Sequence, residues 1–150
     1  MSDVTAKRDL DALYAELPTI ACQRKCHSAC GPIFMSRVEW QRIIKKKGYE
    51  PRATSIDCPL LVSGLCSVYN VRPMICRLWG IVESLPCPWG CKPQPRYLTH
   101  AEGHDFLLRA ELLSEPEHAE QINALRAHIA ANPEQTRAFT ELFTVKPRIK

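Results

Sequence analysis

No window of this 150-residue chain approaches the roughly 18 apolar residues that a membrane span requires, so no membrane partner is expected. The N-terminus, Met1-Ser-Asp-Val-Thr-Ala-Lys-Arg-Asp-Leu10, lacks the apolar run and small-residue cleavage site of a secretory leader and reads as a polar helix start. The expected compartment is therefore the cytoplasm, where glutathione and thioredoxin keep thiols reduced. The chain has only six glycines, and none builds a phosphate-cradling loop. It shows no Ser-His-Asp arrangement and no carboxylate pair placed for acid–base work. Any enzymatic activity would have to rest on a bound metal or a reactive thiol. Internal repeats and low-complexity linkers are also missing, so residues 1–150 are read as one domain.

Cysteine is absent from residues 92–150, yet eight cysteines crowd residues 22–91: Cys22, Cys26, Cys30, Cys58, Cys66, Cys76, Cys87 and Cys91. A disulfide framework does not suit a reducing compartment, and a chain this long can bury a core without covalent staples. Metal-bound thiolates are the remaining economical reading, and all eight cysteines are expected ligands. Charge agrees with it. Residues 1–91 hold 12 Lys/Arg against 8 Asp/Glu, whereas residues 92–150 hold 8 of each. The basic surplus lies where thiolates would add negative charge, so it reads as local compensation, and nucleic acid is not an expected partner. The Lys45-Lys46-Lys47 run reads as the end of a helix, where cations suit the negative end of the dipole.

The spacing restricts how the thiols converge. Cys22, Cys26 and Cys30 follow C-x3-C-x3-C; on one continuous helix the outer two would stand about 12 Å apart along the axis. Sulfurs sharing one tetrahedral zinc lie no more than about 3.8 Å from each other. The segment must bend, or the three serve different centres, or they wrap an iron–sulfur cluster, which is larger than one ion. Cys58 and Cys66 flank a hairpin expected at Ser63-Gly64, on opposite faces unless a bulge intervenes. Cys87-Pro-Trp-Gly-Cys91 is a C-x3-C turn. Eight thiols suffice for two four-thiolate sites, for a cluster and a zinc, or for a cluster with spare thiols. None of the spacings is the C-x2-C knuckle of common zinc ribbons. Beside the sulfurs, Arg72 and Arg77 are expected to neutralise thiolates, and Tyr69 to donate to sulfur or to pack. His27, and the i, i+4 pair His100 and His104, are further candidate ligands.

Around these positions the chain reads as mainly α. A weak amphipathic helix covers residues 4–17, with Val4, Leu10, Leu13, Tyr14 and Leu17 as its apolar positions. Ser36-x-x-Glu39 is a capping box for a helix carrying Val38, Trp40, Ile43 and Ile44 and stopped at Gly48. Residues 49–57 and 73–97 look irregular. Thr99-x-x-Glu102 caps a helix through Phe106, Leu107, Ala110 and Leu113. Ser114-x-x-Glu117 caps another through Ala119, Ile122, Leu125 and Ile129. A last helix is expected from Asn132-Pro133 through Phe139, Leu142 and Phe143. The expected organisation is a cysteine-cluster core over 20–92, irregular apart from the hairpin, with packed helices over 99–144.

The run Cys58-Pro-Leu-Leu, Gly64-Leu-Cys66-Ser-Val-Tyr69, Arg72-Pro73 and Cys76-Arg77 resembles the signature of the YkgJ-type cysteine-cluster family, a group associated with zinc or iron chelation. The resemblance spans about residues 20–92, with Tyr-x-x-Arg-Pro-x-x-Cys-Arg as its specific core. The family's first cluster often ends in two adjacent cysteines, whereas Gly31 follows Cys30 here, leaving Cys87 or Cys91 to complete the ligands. The resemblance implies chelation of zinc or iron, the latter including an iron–sulfur centre, with a redox or catalytic-accessory role. A similar cluster accompanies flagellin lysine methylation enzymes, but the rest of such an enzyme is not evident in this chain. The competing expectation is a non-catalytic, zinc-stabilised module that binds a protein partner.

Overall fold

The computed structural model describes residues 3–31 and 33–134. Its helices are α1 (Asp3–Ala15), α2 (Arg37–Lys47), α3 (Met74–Leu78), α4 (His100–Ser114) and α5 (Ala119–Ala131). Four two-residue strands, β1 (Thr19–Ile20), β2 (Leu61–Val62), β3 (Leu65–Cys66) and β4 (Pro93–Gln94), form two antiparallel ladders, β1 with β4 and β2 with β3. The chain is thus mainly α, as expected. The helix expected beyond Pro133 lies outside the described residues. No helix among the described residues is long and apolar enough to cross a membrane.

Local chemistry accounts for several boundaries. Ser36 and Glu39 form their capping box at the start of α2; Lys45, Lys46 and Lys47 occupy its last turn, and Gly48 closes it. Thr99 and Glu102 do the same for α4. At the β2–β3 turn Ser63 and Gly64 both have positive φ, 51° and 76°, the arrangement that matches hairpin twist. Glycine accepts it freely and serine at a small cost.

Other expectations are corrected. Ser114 does not cap a following helix: it is buried at the end of α4, and its Oγ accepts the amide of Val38 at 3.0 Å. The next turn, Pro116–His118, has no side-chain cap. Within the stretch read as irregular, residues 74–78 form α3. Val4, 77% exposed, is not on the buried face of α1, where Ala6 joins Leu10 and Leu13; Leu125 on α5 is 47% exposed.

The main core joins α1, α2, α3 and α4 through Leu10, Leu13, Val38, Met74, Leu78, Val82 and Phe106. A smaller core of Ile43, Leu60 and Val68 lies under the hairpin, and Cys58 and Cys66 pack on it. Glu39 ties these parts together. It is 2% exposed, and its carboxylate accepts Ser36 N at 2.9 Å, Ser36 Oγ at 3.0 Å, Tyr14 OH at 2.7 Å and Met74 N at 2.6 Å. The last bond satisfies the leading amide of α3, a five-residue helix too short to hold itself together.

Candidate metal centre

The cysteines form two neighbourhoods joined through the Cys26–Cys30 segment, since Cys30 interacts with Cys26 as well as with Cys58 and Cys66. The first is Cys30, Cys58, Cys66 and Cys76. Cys30 closes the 3-10 turn Cys26–Ala29, with its amide on His27 O at 3.1 Å. Cys58 precedes the hairpin rather than lying in its ladder, because the turn Leu61 N to Cys58 O (3.2 Å) intervenes before β2. Strand alternation therefore does not decide its direction. Cys66 is in β3, and Cys76 sits in α3 between the buried Met74 and Leu78. Each of these thiols lies within electrostatic reach of the others: Cys76 of Cys30, Cys58 and Cys66, Cys30 of Cys58 and Cys66, and Cys58 of Cys66.

The second group is Cys22, Cys26, Cys87 and Cys91. The β1–β4 register pairs Thr19 with Gln94 and Ile20 with Pro93. The ladder ends there: Cys22 N donates to Ile20 O at 3.0 Å, a tight turn that closes β1 just before Cys22. A Cβ on Gly80 would stand 3.1 Å from Ile20 Cδ1 and 3.6 Å from Cys87 Cβ, so Cys87 lies beside the end of β1. Cys26 interacts with Cys22 and Cys87, and the side chains of Cys87 and Cys91 are hydrogen-bonded to each other. The groups meet at the 3-10 turn, where the Cys30 thiol points to Cys26 O at 3.8 Å.

All eight thiols are half-buried and free of disulfides. Burial, then the neighbouring Cys26, Cys58 and Cys66, pushes the Cys30 thiol up to about 11. Cys76 is raised further, by burial and then by Cys30, Cys58 and Cys66, with Arg72 opposing. Burial also raises Cys58 and Cys26. Cys87 goes the other way. Its slight burial is outweighed by hydrogen bonds from the amides of Trp89 and Cys91, the Cys91 side chain and the Gly90 amide, and its thiol is lowered. Gly90, at φ 80°, supplies the left-handed bend that curls these amides around one sulfur, as in anion-binding nests.

The donors suit zinc or iron, both of which take thiolates. Among the described residues, no group of three or more His, Cys, Asp or Glu side chains is placed so that it could hold a metal ion. The fold supplies neighbourhoods of soft donors rather than a finished ligand shell.

The surroundings were partly legible in the sequence. The Tyr69 hydroxyl is hydrogen-bonded to Cys22. Its ring lies between two guanidinium groups, Arg24 at 3.7 Å and Arg72 at 3.9 Å from the centroid. Arg24 has a positive φ of 56°, a costly conformation for a long side chain, and its amide donates to Cys22 Sγ at 3.3 Å. Arg72 lies within electrostatic reach of Cys26 and Cys76, where it opposes the rise of both thiols. Arg77 instead donates to the carbonyls of Arg72 (2.8 Å) and Asn70 (3.1 Å) and stacks on Tyr14. It braces the backbone. His27 lies over the hairpin turn at Gly64. His100 Nδ1 shares a 2.7 Å hydrogen bond with Ser84 Oγ on α4's N-terminal side. Sequence reasoning read Glu39 only as a helix cap and not as the acceptor of α3's first amide, and it passed over Arg24, whose backbone strain has no sequence signal. Compared with known proteins, the chain matches no family model, no curated protein and no solved structure.

Proposed function

We propose that this chain is a cytoplasmic cysteine-cluster metal-binding protein of the YkgJ type, chelating iron, as an iron–sulfur centre, or zinc. The reading is supported by eight free thiols confined to residues 22–91, several of which are drawn into electrostatic reach of each other by segments far apart in sequence. Soft donors in fours are the ligand complement of zinc and of iron–sulfur clusters. Cys30, Cys58, Cys66 and Cys76 would hold one centre, and Cys22, Cys26, Cys87 and Cys91 another. An iron–sulfur centre supplies electron transfer when bound, which would make the protein a redox or catalytic accessory. The chain's own residues contribute charge compensation at Arg72, sulfur hydrogen bonds from Tyr69 and Arg24, and the amide cradle at Cys87.

A second reading, a zinc-stabilised protein-interaction module, draws on a different observation. Val62 and Leu65 face each other at the hairpin tip, each 56% exposed, beside the thiol-bearing strand. Elemental analysis and a visible spectrum of protein purified without oxygen separate the two. Iron with sulfide and a broad visible band supports the redox reading. About two zinc per chain and no colour supports the module. Folded protein that neither contains metal nor takes up zinc or iron overturns both.

A further inference from the structure

The β2–β3 hairpin turns two apolar side chains out of the molecule. Its register pairs Leu61 with Cys66 and Val62 with Leu65, and neighbouring positions on a strand point to opposite faces. Cys66 packs on the smaller core, so Val62 and Leu65 face away from it, each 56% exposed. The tip does not stand alone. A Cβ on Gly64 would meet the His27 ring at 3.8 Å, and one on Gly31 would meet Ile56 O at 3.2 Å. The hairpin tip and Ile56, itself 64% exposed, therefore both border the segment 27–31.

Cations frame this apolar strip. Lys47 Nζ donates to Ser67 Oγ at 3.1 Å, and Ser67 Oγ donates to Leu60 O at 2.7 Å, which sets the lysine-rich last turn of α2 against the base of the hairpin. Lys45 and Lys46 in that turn are exposed, as are Arg24 and Lys25 just before the 3-10 turn. Among the described residues none of these cations forms a salt bridge, whereas Arg42 and Arg109 each hold a carboxylate.

An apolar strip with an unpaired basic border is the complement of an acidic protein segment that carries apolar side chains. The chain's own residues 135–150 are not that complement, since they hold Arg137, Lys146, Arg148 and Lys150 against Glu141. An anionic membrane fits less well: burying Ile56 in it would press the exposed Asp57 into negative headgroups. Nucleic acid would use the lysines and leave Val62, Leu65 and Ile56 unmatched.

We propose that the hairpin tip, Ile56 and the segment between them form a docking surface for an acidic segment of another protein. Its apolar side chains cover Val62, Leu65 and Ile56, and its carboxylates meet Lys45, Lys46 and Lys25. The inference rests on the protein-interaction part of the second reading, adds the chemistry of the partner, and is independent of metal content.

The test pans a random dodecapeptide phage library against the full chain and measures the enriched peptides, made synthetically, by fluorescence anisotropy. The expected peptides combine several Asp or Glu with spaced apolar residues. Their binding should weaken with salt, which screens exposed charges beyond about 10 Å at 0.1 M. The variant V62T/L65T should bind them about tenfold or more weakly, and K45Q/K46Q severalfold more weakly. Both pairs are exposed and keep local strand or helix preference, so an unchanged urea midpoint separates lost binding from lost fold. Peptides without acidic excess that still need Val62 and Leu65 overturn the partner's chemistry alone. No enriched peptide, or binding that neither variant alters, overturns the interaction reading as well. Binding to phosphatidylserine–phosphatidylcholine vesicles, or self-association in sedimentation velocity, that V62T/L65T abolishes gives the face to a lipid surface or a second copy and overturns the proposal.

Discussion

Replacing Glu39 by alanine removes one acceptor group from four donors at once: Ser36 N, Ser36 Oγ, Tyr14 OH and Met74 N. The serine hydroxyl can rotate to another acceptor, and the half-buried Tyr14 can reach water. The Ser36 and Met74 amides stay enclosed. An unsatisfied buried donor costs about 1–3 kcal/mol, so two of them, together with the small cavity left behind, set a loss of about 3–5 kcal/mol. Glu39→Gln keeps the shape and separates the terms. Its amide oxygen can serve Met74 N and Tyr14 OH, but its NH2 then faces the Ser36 amide, donor against donor, at a cost of about 2 kcal/mol. Urea unfolding followed by circular dichroism and by fluorescence of Trp40, which packs on the smaller core, measures both variants. The physical reasoning also demands coupling: in a double-mutant cycle, Tyr14→Phe should cost less in the Glu39→Gln background than in the parent. An alanine variant within 0.5 kcal/mol of the parent, or strict additivity with Tyr14→Phe, would refute the role assigned to this carboxylate.

Three further outcomes are expected. Ser114→Ala leaves the first-turn amide of Val38 without its acceptor and should lower stability by about 1–2 kcal/mol in the same urea assay, while Ser114→Thr keeps the hydroxyl but adds a methyl to a buried site. A Cβ at Gly103 would meet Val82 Cγ2 at 3.0 Å, so Gly103→Val should lower the melting temperature despite any gain in backbone order, by several degrees for about 1–3 kcal/mol of overpacking. Burial and then the neighbouring His100 lower His104 to about 4. The unfolded chain therefore binds a proton that the folded one refuses between its ordinary value near 6.5 and about 4. That contribution to stability is complete above the upper value and is lost as pH falls toward the lower one. An NMR titration of the His104 ring with a midpoint near 6.5 would contradict this.

The helix starts at Ser36 and Thr99 and the stop at Gly48 were legible because each depends on groups within three or four positions of the residue concerned. The Ser63-Gly64 hairpin was legible for the same reason. The third box failed although its local chemistry was sound, since Ser114 is engaged by Val38, brought against it by the packing of α2 on α4. Residues 74–78 carry no helical period, and α3 exists because Glu39 accepts its first amide. Arg77 looked like a partner for sulfur from its place beside Cys76, but one residue along a helix turns a side chain by about 100°, and it faces Tyr14 instead.

For the cysteines the boundary between the two kinds of information is sharp. Their number, the soft character of their donors and the nearby basic surplus all follow from composition and position along the chain. How they divide does not. Cys30, Cys58 and Cys66 come within electrostatic reach of Cys76, which α3 holds beside the main core, and Cys22 and Cys87 come within reach of Cys26. Spacing in sequence limits only which sulfurs can meet; the burial of Met74 and Leu78 on either side of Cys76, and of Leu10 and Ile43 elsewhere in the chain, sets the frame that brings them near.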